Sequence, residues 1–285
     1  MRKEHHNKVK IIAHCLVKNE ARWVWYSINS VLPYVDNVMV WDTGSIDATV
    51  EIVKNINSPK IQIRTLSEIT AEEFPAARQE MFDITGKEFT WVLILDGDEI
   101  WEESAIKTVT KFARDNPQYE SIVVRSNNLV GDIFHRLPES SGHYNLAGLK
   151  GHLNLRLLNL KKIPGINVKK PHGQQGYYDK NGVLVQDRDP RKIKFIDVYY
   201  HHATHLPRAG NNKGDQLVPK RPQKLKYELG QEIPQSQIPQ VFFLPHPADV
   251  PRVINRAPLS FWVRAAIETM PRRIKRALLP LRHGY

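Results

Sequence analysis

The sequence contains almost no cysteine, since Cys15 is the only one among 285 residues. A single cysteine cannot form an intrachain disulfide, and such sparse use is typical of proteins in a reducing compartment. Long apolar runs are also missing, because none approaches the roughly 18 to 20 residues needed to cross a bilayer. The first residues, MRKEHHNKVK, lack the apolar core of a secretory signal. We therefore expect a cytoplasmic location.

Acidic residues are scarce near the C-terminus. Residues 252–285 contain eight Lys and Arg but one acid, Glu268, so +7 of the net charge of +11 lies there. Apolar residues of this region follow helical spacing: Val263, Ile267, Met270, Ile274, Ala277 or Leu278, and Leu281. Such a helix suits the anionic inner face of a membrane. The alternative is a helix that packs its apolar stripe onto the protein. Nucleic acid is a less favoured partner, because no nucleic-acid-binding module is recognisable.

The first half of the chain alternates short apolar runs with amphipathic segments. The apolar runs predict strands over residues 9–17, 37–42, 61–66, 91–96 and 121–126. Apolar residues at three- and four-residue spacing predict helices over residues 20–34, 47–56, 71–85 and 103–115. Near-continuous apolar strands separated by helices are typical of an α/β protein with a mostly parallel sheet that is covered on both faces.

The second half has a looser pattern. Gly, Pro, Asn and His are frequent in residues 127–197, and the only predicted strands are 153–160 and 194–202. Proline then recurs every few residues, which favours an extended segment across the surface. We therefore divide the chain into a main domain of residues 1–206, an extended segment of residues 207–251 and a basic C-terminal segment of residues 252–285.

Two of the predicted strands end in acidic residues. NVMVWD ends at Asp42, and WVLILDGD ends in Asp96 and Asp98. Ligands bind beyond the carboxyl ends of the strands in a parallel α/β sheet, where Asp42 can accept hydrogen bonds from a ribose or a base. Asp96 and Asp98, one Gly apart, can direct oxygen ligands at one divalent cation such as Mg²⁺ or Mn²⁺. The alternative for this pair is an ordinary Asp-Gly turn.

Four sequence blocks together resemble the glycosyltransferases of family 2, in the family's order and spacing. They are LVKNEARWV, VDNVMVWDTGSIDATVEIV, FPAARQEMF and WVLILDGDE, which begin at residues 16, 35, 74 and 91. The resemblance implies a GT-A-like, Rossmann-like fold, in which residues 1–126 bind a nucleotide sugar and residues 127–206 bind the acceptor and complete a metal site. It also implies inverting, metal-dependent transfer from a nucleotide-diphosphate donor, with a UDP-sugar expected, to a glycan or lipid-linked acceptor in surface polysaccharide synthesis.

The same resemblance implies roles for individual residues of the first half. Asp42 corresponds to the family's acid near the uracil or ribose. Asp96 and Asp98 correspond to the Asp-x-Asp motif, which holds Mg²⁺ or Mn²⁺ and the donor diphosphate. The expected donor-binding residues are Val17, Lys18, Asn19, Glu20, Asp42, Gly44, Ser45, Arg78, Asp96 and Gly97.

Histidines cluster after the last predicted strand of the main domain, in VYYHHATHLPR. Imidazole is a common ligand of borderline divalent cations, and GT-A enzymes often complete their metal site with a downstream His. We therefore expect one of His201, His202 and His205 to be the third metal ligand. A surface or packing role is the alternative for all three.

The acceptor side is marked less clearly. Inverting transfer needs a carboxylate, or occasionally a His, close to the acceptor hydroxyl. Related enzymes with the DGDE signature often have His-Glu after an Arg-Leu strand, but here His172 lacks the following Glu. Asp132, Asp179 and His172 are alternative candidates for this base, and a turn or surface role is the alternative for each. Glu99 and Trp101, in the loop after the metal motif, are expected at the acceptor site.

Two other functions remain open. A nucleotidyltransferase uses a similar sheet and similar carboxylates, but it is expected to carry a Gly-rich basic loop after the first strand, and HCLVKNEAR contains no Gly. A non-catalytic membrane- or RNA-associated binding protein on the same fold agrees with the missing Glu after His172. The presence of Asp42, Asp96 and Asp98 argues against it.

Overall fold

The computed structural model describes residues 8–142, 144–146, 148–171, 175–209, 224–278 and 282–283. The strands that form the main sheet are β1 (Lys10–Val17), β2 (Asn37–Asp42), β3 (Ile61–Thr65), β4 (Phe89–Leu95), β5 (Glu99–Trp101), β6 (Ser121–Val130), β7 (Asp132–Arg136), β10 (Leu153–Asn159), β13 (Ile193–His202) and β14 (Gln231–Glu232). Two small sheets are built from β8 (Tyr144–Leu146), β9 (Leu149–Gly151) and β15 (Arg282–His283), and from β11 (Asn167–Lys169) and β12 (Gly176–Tyr178).

Helices cover the main sheet. They are α1 (Val24–Val31), α2 (Thr49–Asn55), α3 (Phe74–Asp83), α4 (Glu103–Asp115) and α5 (Leu259–Ala277). Short 3₁₀ turns occur at Glu139–Ser141, Val185–Asp187, Pro190–Lys192, Gln235–Gln237 and Gln240–Phe243. None of the helices in the described part of the chain is long and apolar enough to cross a bilayer.

The main sheet is mostly parallel in its first half. Its order is β14-β7-β6-β10-β4-β1-β2-β3, and β13 joins β6 and β5. Strands β4, β1, β2 and β3 are parallel, β10 runs antiparallel between β4 and β6, and β13 runs parallel to β6. The predicted α/β class, a mostly parallel sheet flanked by helices, is confirmed.

The strand register brings the acidic strand ends to one edge of the sheet. Val17, the last residue of β1, pairs with Asp42, the last residue of β2. Leu95, at the end of β4, pairs with Cys15 on the other side of β1. Asp96 therefore begins a loop beside the point where β1 and β2 end.

The side chains of β1 show how the sheet separates two layers of core. Ile11, Ala13, Cys15 and Val17 pack into a cluster with α1 and α4, whereas Ile12 and Leu16 pack into a second cluster with α3. Successive side chains of a strand point to opposite faces. A strand that is apolar at both sets of positions is consequently buried on both sides.

Two boundaries differ from the sequence expectation. Helix α1 begins at Val24, because Glu20 donates its backbone N–H to Thr49 Oγ1 at 2.8 Å and the residues up to Trp23 form a turn. Strand β6 continues to Val130, because β13 pairs with it as far as Asn128. The expected halves 1–126 and 127–206 therefore share a strand and a single sheet.

The described part of the proline-rich segment contributes to the core. This part, residues 224–251, contains β14 and two 3₁₀ turns. Its apolar side chains are buried in the same cluster as α1: Ile233, Ile238, Val241, Phe242 and Val250. Tyr26 of α1 donates its hydroxyl to the Pro251 carbonyl at 3.1 Å. The segment therefore covers the outer face of α1.

The loop between β2 and α2 depends on Gly44, and a matched pair of variants tests this. Gly44 has φ +89°, and a Cβ there would lie 2.7 Å from Glu68 Cα, whereas Gly182 has φ +79° with open space around it. We expect Gly182→Ala to cost about 1 kcal/mol of unfolding free energy or less, because strain at positive φ is offset by a less flexible unfolded chain. Gly44→Ala should cost at least about 1 kcal/mol more, because backbone must also move. Equal shifts of the urea midpoint would contradict this view of the loop.

Candidate active site

A cavity of about 620 Å³ lies at the edge where the strands of the parallel half end. Ligands of α/β sheets bind at this edge. The first half of the chain lines it with Leu16, Lys18, Glu20, Thr43, Arg78, Asp96 and Asp98, among others. The second half lines it with residues that include Asn128, His152, Arg156, Tyr177, His202, His205, Arg208, Lys226 and Arg276.

The loops after β1 and β2 are joined by hydrogen bonds. The Val17 carbonyl accepts from the backbone N–H of Thr43 at 2.9 Å and from its hydroxyl at 3.0 Å. Asn19 donates its backbone N–H to Ser45 Oγ at 2.8 Å, and its Oδ1 accepts from the Ile46 N–H at 2.8 Å. The expected donor-binding loops therefore form one rigid unit. Lys18, which lines the cavity, also pairs with Glu68 at 2.7 Å.

Asp42 stabilises this unit with only one of its two oxygens. Its Oδ2 accepts the backbone N–H groups of Gly44 at 3.1 Å and Ser45 at 3.0 Å. The side chain is buried, and Oδ1 makes no hydrogen bond with any residue that the structure describes. Thr43, the next residue, lines the cavity. Oδ1 is therefore a buried acceptor on a residue whose neighbour in sequence lines the cavity.

The loop after β4 fixes its two aspartates differently. The Asp96 carbonyl accepts from Ser27 Oγ at 3.0 Å, and the Asp98 carbonyl accepts from the Ala203 N–H at 2.9 Å. The Asp96 carboxylate is about one-third exposed, with a fractional exposure of 37%, whereas that of Asp98 is 1%. Gly97 packs against Glu20. The loop is thus anchored to α1 and to the end of β13.

Three arginines surround these carboxylates. Arg78 donates to the His14 carbonyl at 3.2 Å and to Asp96 Oδ1 at 3.3 Å. Arg156 lies 3.9 Å from Asp96 Oδ2, and Arg208 lies 3.4 Å from Asp98 Oδ1. Each guanidinium comes from a different element, namely α3, β10 and the segment after β13. The site therefore presents both oxygen ligands and fixed positive charge to the cavity.

Two further acids lie behind this layer and are paired with the same arginines. Glu99 is fully buried and contacts Arg156, and Glu20 contacts Arg208. Burial raises the pKa of Glu99 to about 7, although Arg156 opposes the shift. The Tyr200 hydroxyl accepts from Arg156 Nη2 at 2.9 Å. Glu99 therefore acts on the cavity through Arg156, whereas the sequence predicted direct contact with the acceptor.

The clustered histidines separate in space. His202 Nε2 lies 3.5 Å from Asp98 Oδ1; burial opposes its charge, but Asp98 raises its pKa above the ordinary value. His205 lines the cavity and donates its Nδ1–H to the Lys224 carbonyl at 2.8 Å. His201 is fully buried against Phe242 on the opposite face of β13, and burial lowers its pKa to about 3. Because successive side chains of β13 point to opposite faces, His201 points away from the cavity and is not one of the expected metal ligands.

The donor types near Asp98 fit a hard divalent cation. Asp96 and Asp98 offer carboxylate oxygens and His202 offers an imidazole nitrogen, all of which Mg²⁺ or Mn²⁺ accept. No group of three or more His, Cys, Asp or Glu side chains in the described ranges is already arranged to hold an ion. The residues therefore fit a metal in chemistry, but the ligands are not preassembled.

Asp132 and Asp179, the two candidates for the base that the structure describes, do not line the cavity. Asp132 accepts from the Phe134 N–H at 2.9 Å, from His135 Nδ1 at 2.7 Å and from the Ala257 N–H at 3.0 Å. Both of its oxygens are therefore used to fix β7 and the segment before α5. The third candidate, His172, lies outside the described residues.

Asp179 is a turn residue. Its Oδ1 accepts from the Asn181 N–H at 2.9 Å and the Val183 N–H at 3.0 Å, and its Oδ2 contacts Arg188. The Val183 hydrogen bond contributes most to a lowered pKa. A carboxylate that bonds residues two and four positions ahead forms a local turn.

Trp101 is also corrected, because it belongs to the core. Its side chain is 1% exposed and stacks on Tyr200 with ring centroids 5.3 Å apart. Strand β5 pairs with β13, with Trp101 opposite Tyr200, and this pairing turns the indole inward. Trp101 therefore does not line the cavity.

Some site residues were not predicted from the sequence. Arg156 could have been found, because a single charged residue in the apolar run LNLRLLNL indicates that it is buried with a partner. Arg208 and Lys226 had no such signal, since they lie in loop-like sequence and reach the cavity only through the fold.

A family model described as Glycosyl transferase family 2 matches residues 15–166, just over half of the 285 residues. This chain belongs to glycosyl transferase family 2. The resemblance inferred from the four sequence blocks is confirmed. The matched region contains the loops after β1, β2 and β4 as well as Arg78 and Arg156. It therefore includes most of the cavity wall that the first half of the chain contributes.

Comparison with solved structures gave matches to two proteins, among others. TarS from S. aureus aligns with a TM-score of 0.46 at 14% identity, over 69% of this chain and 61% of that chain. Glucosyl-3-phosphoglycerate synthase from Mycobacterium tuberculosis, in complex with Mn²⁺ and UDP-glucose, aligns with a TM-score of 0.41 at 15% identity, over 68% and 71%. This chain thus spans less than two thirds of the TarS structure. Alignments at this similarity carry no conclusion about activity. Comparison with curated proteins gave no match.

The contact between Arg156 and Glu99 should behave as a buried ion pair. Arg156→Met leaves Glu99 buried without its guanidinium, so we expect a loss of about 3 kcal/mol in unfolding free energy. Arg191→Met, which breaks the exposed pair with Asp189, should cost less than about 1 kcal/mol. Adding Glu99→Gln to Arg156→Met should restore part of the loss. Urea midpoints that fall equally in the two arginine variants would show that the pair is not buried as described.

Proposed function

We propose that this chain transfers a sugar from a UDP-sugar to a glycan or lipid-linked acceptor of a surface polysaccharide, with inversion at the anomeric carbon and with a divalent metal. The observation that carries the proposal is the cavity at the carboxyl edge, where the Asp96-Gly97-Asp98 loop lies beside three guanidinium groups and next to the strand end that bears Asp42. Membership of glycosyl transferase family 2 supports the reaction class.

Asp42 would recognise the nucleoside. Its Oδ2 already bonds two backbone N–H groups, so only Oδ1 can accept from a ligand. A uracil N–H or a ribose hydroxyl supplies such a donor. A buried acceptor without a partner is costly, and the nucleoside would remove this cost on binding.

The guanidinium groups would hold the diphosphate. Negative charge grows on the diphosphate as the bond to the sugar breaks, and fixed cations in a site with little water stabilise that charge. Arg78 and Arg208 lie within 3.4 Å of the aspartate oxygens at this point, so they need no large movement. Asp96, Asp98 and His202 would hold Mg²⁺ or Mn²⁺, which when bound neutralises diphosphate charge.

Inversion requires the acceptor hydroxyl to lose its proton on the side opposite the diphosphate. His205 lines the cavity, and because its Nδ1–H is donated to the Lys224 carbonyl, Nε2 is the ring nitrogen left to accept a hydrogen bond. Burial lowers its pKa well below the ordinary value, which makes it a weak base but a suitable hydrogen-bond acceptor. His172 remains a predicted base.

Nucleotide titration tests the donor site. We expect the wild-type chain to bind UDP in the presence of Mn²⁺, and more tightly than GDP or CDP. Asp98→Asn should weaken UDP binding by about tenfold or more, because an interaction with a charged group is lost. Asp115→Asn, which alters an exposed pair on α4, is the matched control and should change nothing. Isothermal titration with and without Mn²⁺ gives the affinities.

Failure of UDP binding in the presence of metal would overturn the transferase proposal and favour the non-catalytic alternative. A nucleotidyltransferase would instead release pyrophosphate from a nucleoside triphosphate. We expect UDP to be released from a UDP-sugar, and no pyrophosphate to be released from UTP.

Helix α5 supports a second part of the proposal, docking on the anionic inner face of a membrane. Its apolar stripe points outward, with Leu259, Val263, Ile267, Met270, Ile274 and Leu278 between 56% and 81% exposed. Its opposite face is packed, since Ala265 and Thr269 are buried. This arrangement is the reverse of the alternative in which the stripe covers the protein.

The charges that border the stripe favour anionic lipid as the occupant. At 3.6 residues per turn, Arg273 lies on one side of the stripe, and Arg264 and Lys275 lie on the other. Arg273 and Lys275 are exposed and make no ion pair with any described residue. Exposed apolar side chains between basic ones suit the boundary between headgroups and acyl chains.

Vesicle binding tests this docking. Wild-type chain should sediment with vesicles that contain phosphatidylglycerol and much less with neutral vesicles. Ile267→Glu should weaken binding by about tenfold or more, because burying one large apolar side chain contributes about 1.5 to 3 kcal/mol. Ile84→Glu, at an exposed apolar position after α3, is the control. Equal sedimentation of both variants, or a stable dimer that Ile267→Glu dissociates, would assign the stripe to another partner.

A further inference from the structure

A group of cations lines the part of the cavity beside α5. Lys226 comes from the extended segment and Arg276 from the helix. Two contacts fix the segment on the helix: Arg276 pairs with Glu228 at 2.6 Å, and the Leu229 N–H donates to Thr269 Oγ1 at 2.8 Å. The two cations therefore have defined positions on the cavity wall.

Lys226 has no anionic partner of its own among the described residues. Its ammonium makes no hydrogen bond or ion pair with them, and the nearby Glu228 is already bonded to Arg276 at 2.7 Å and 2.6 Å. The side chain is partly buried, and burial lowers its pKa to about 8, with Glu228 opposing the shift and Arg276 adding to it. An anion from outside the chain would stabilise such a cation.

Lys226 and Arg276 lie on the side of Asp98 that is away from the loop after β2, which begins at Asp42. Asp42 ends β2, whereas His202 ends β13, and the sheet places β1, β4, β10 and β6 between the two strands. From His202 the cavity wall continues to His205, whose low pKa results from burial and from neighbouring Lys226. The Lys226 end therefore belongs to the acceptor side of the cavity.

We propose that Lys226 and Arg276 form a phosphate-binding subsite for the acceptor, so that the molecule receiving the sugar carries a phosphate group near the reacting hydroxyl. This inference rests on the proposed transferase function and narrows its acceptor to a phosphate-bearing one. Phosphate oxygens point in several directions and can bridge an ammonium and a guanidinium from different elements, whereas a planar carboxylate pairs best with one guanidinium. The donor diphosphate has its own cations in Arg78 and Arg208.

Calorimetric titration with inorganic phosphate tests the subsite. The full chain is first saturated with UDP and Mg²⁺ so that the donor positions are filled, and ionic strength is held constant. Lys226→Met removes the charge and keeps the length, and we expect phosphate affinity to fall by about tenfold or more, as for loss of a charged hydrogen bond. Lys226→Arg keeps the charge and should retain most of the affinity. Lys107→Met, at an exposed position of α4, is the matched control and should change nothing.

Other outcomes separate this inference from the proposed function. If Lys226→Met leaves the affinity for inorganic phosphate unchanged while UDP binds normally, the phosphate subsite is overturned but the transferase proposal is not. A Lys226→Met variant that weakens UDP as much as phosphate assigns Lys226 to the donor, which also overturns it. Acetate that binds as well as phosphate overturns the phosphate assignment. If UDP does not bind, the transferase proposal fails and the acceptor role fails with it, whatever phosphate does.

A second arm distinguishes soluble phosphate from phosphate on a lipid. Vesicles of a zwitterionic lipid to which phosphatidic acid is added replace inorganic phosphate. If Lys226→Met weakens both the binding of inorganic phosphate and the binding of these vesicles, the subsite is reached by phosphate on a lipid. If it weakens only the binding of inorganic phosphate, the acceptor is presented in solution.

Discussion

Three buried carboxylates at the edge of this sheet, those of Glu20, Asp98 and Glu99, depend on arginines that offset their charge. A buried acid without a partner costs several kcal/mol, and this site places Glu20, Asp96, Asp98 and Glu99 within one small region. Their guanidinium partners come from α3, from β10 and from the segment after β13. The ion pairs therefore join the first half of the chain to the second, and the site depends on the complete sheet.

The C-terminal helix serves the same cavity from its other side. One face of α5 packs through Ala265 and Thr269 and brings Arg276 to the cavity wall, while its apolar stripe faces outward. A bilayer on the stripe would therefore lie close to the acceptor side of the site. The basic C-terminus, which the sequence marks only as a local excess of charge, connects membrane docking with acceptor binding in this account.

Strand positions and the acidic strand ends could be predicted from the sequence, because apolar runs and the turn after them are local signals. The partners of those acids could not, since Arg156 lies 57 residues from Glu99. The errors at His201 and Trp101 have a common cause. Each residue lies on a strand whose pairing with a distant strand decides which side chains point into the core. In addition, the three-residue β5 is too short to show an alternation of apolar and polar residues. Asp132 and Asp179 resembled catalytic acids because a turn carboxylate and a catalytic carboxylate look alike in sequence.

The most direct test of this account is an experimental structure of the chain with UDP and Mn²⁺. We expect the uracil or ribose to donate a hydrogen bond to Asp42 Oδ1 and the diphosphate to lie between Arg208 and the Asp96-Gly97-Asp98 loop. A nucleotide bound elsewhere, or bound in the cavity without contact to Asp42 and this loop, would contradict it.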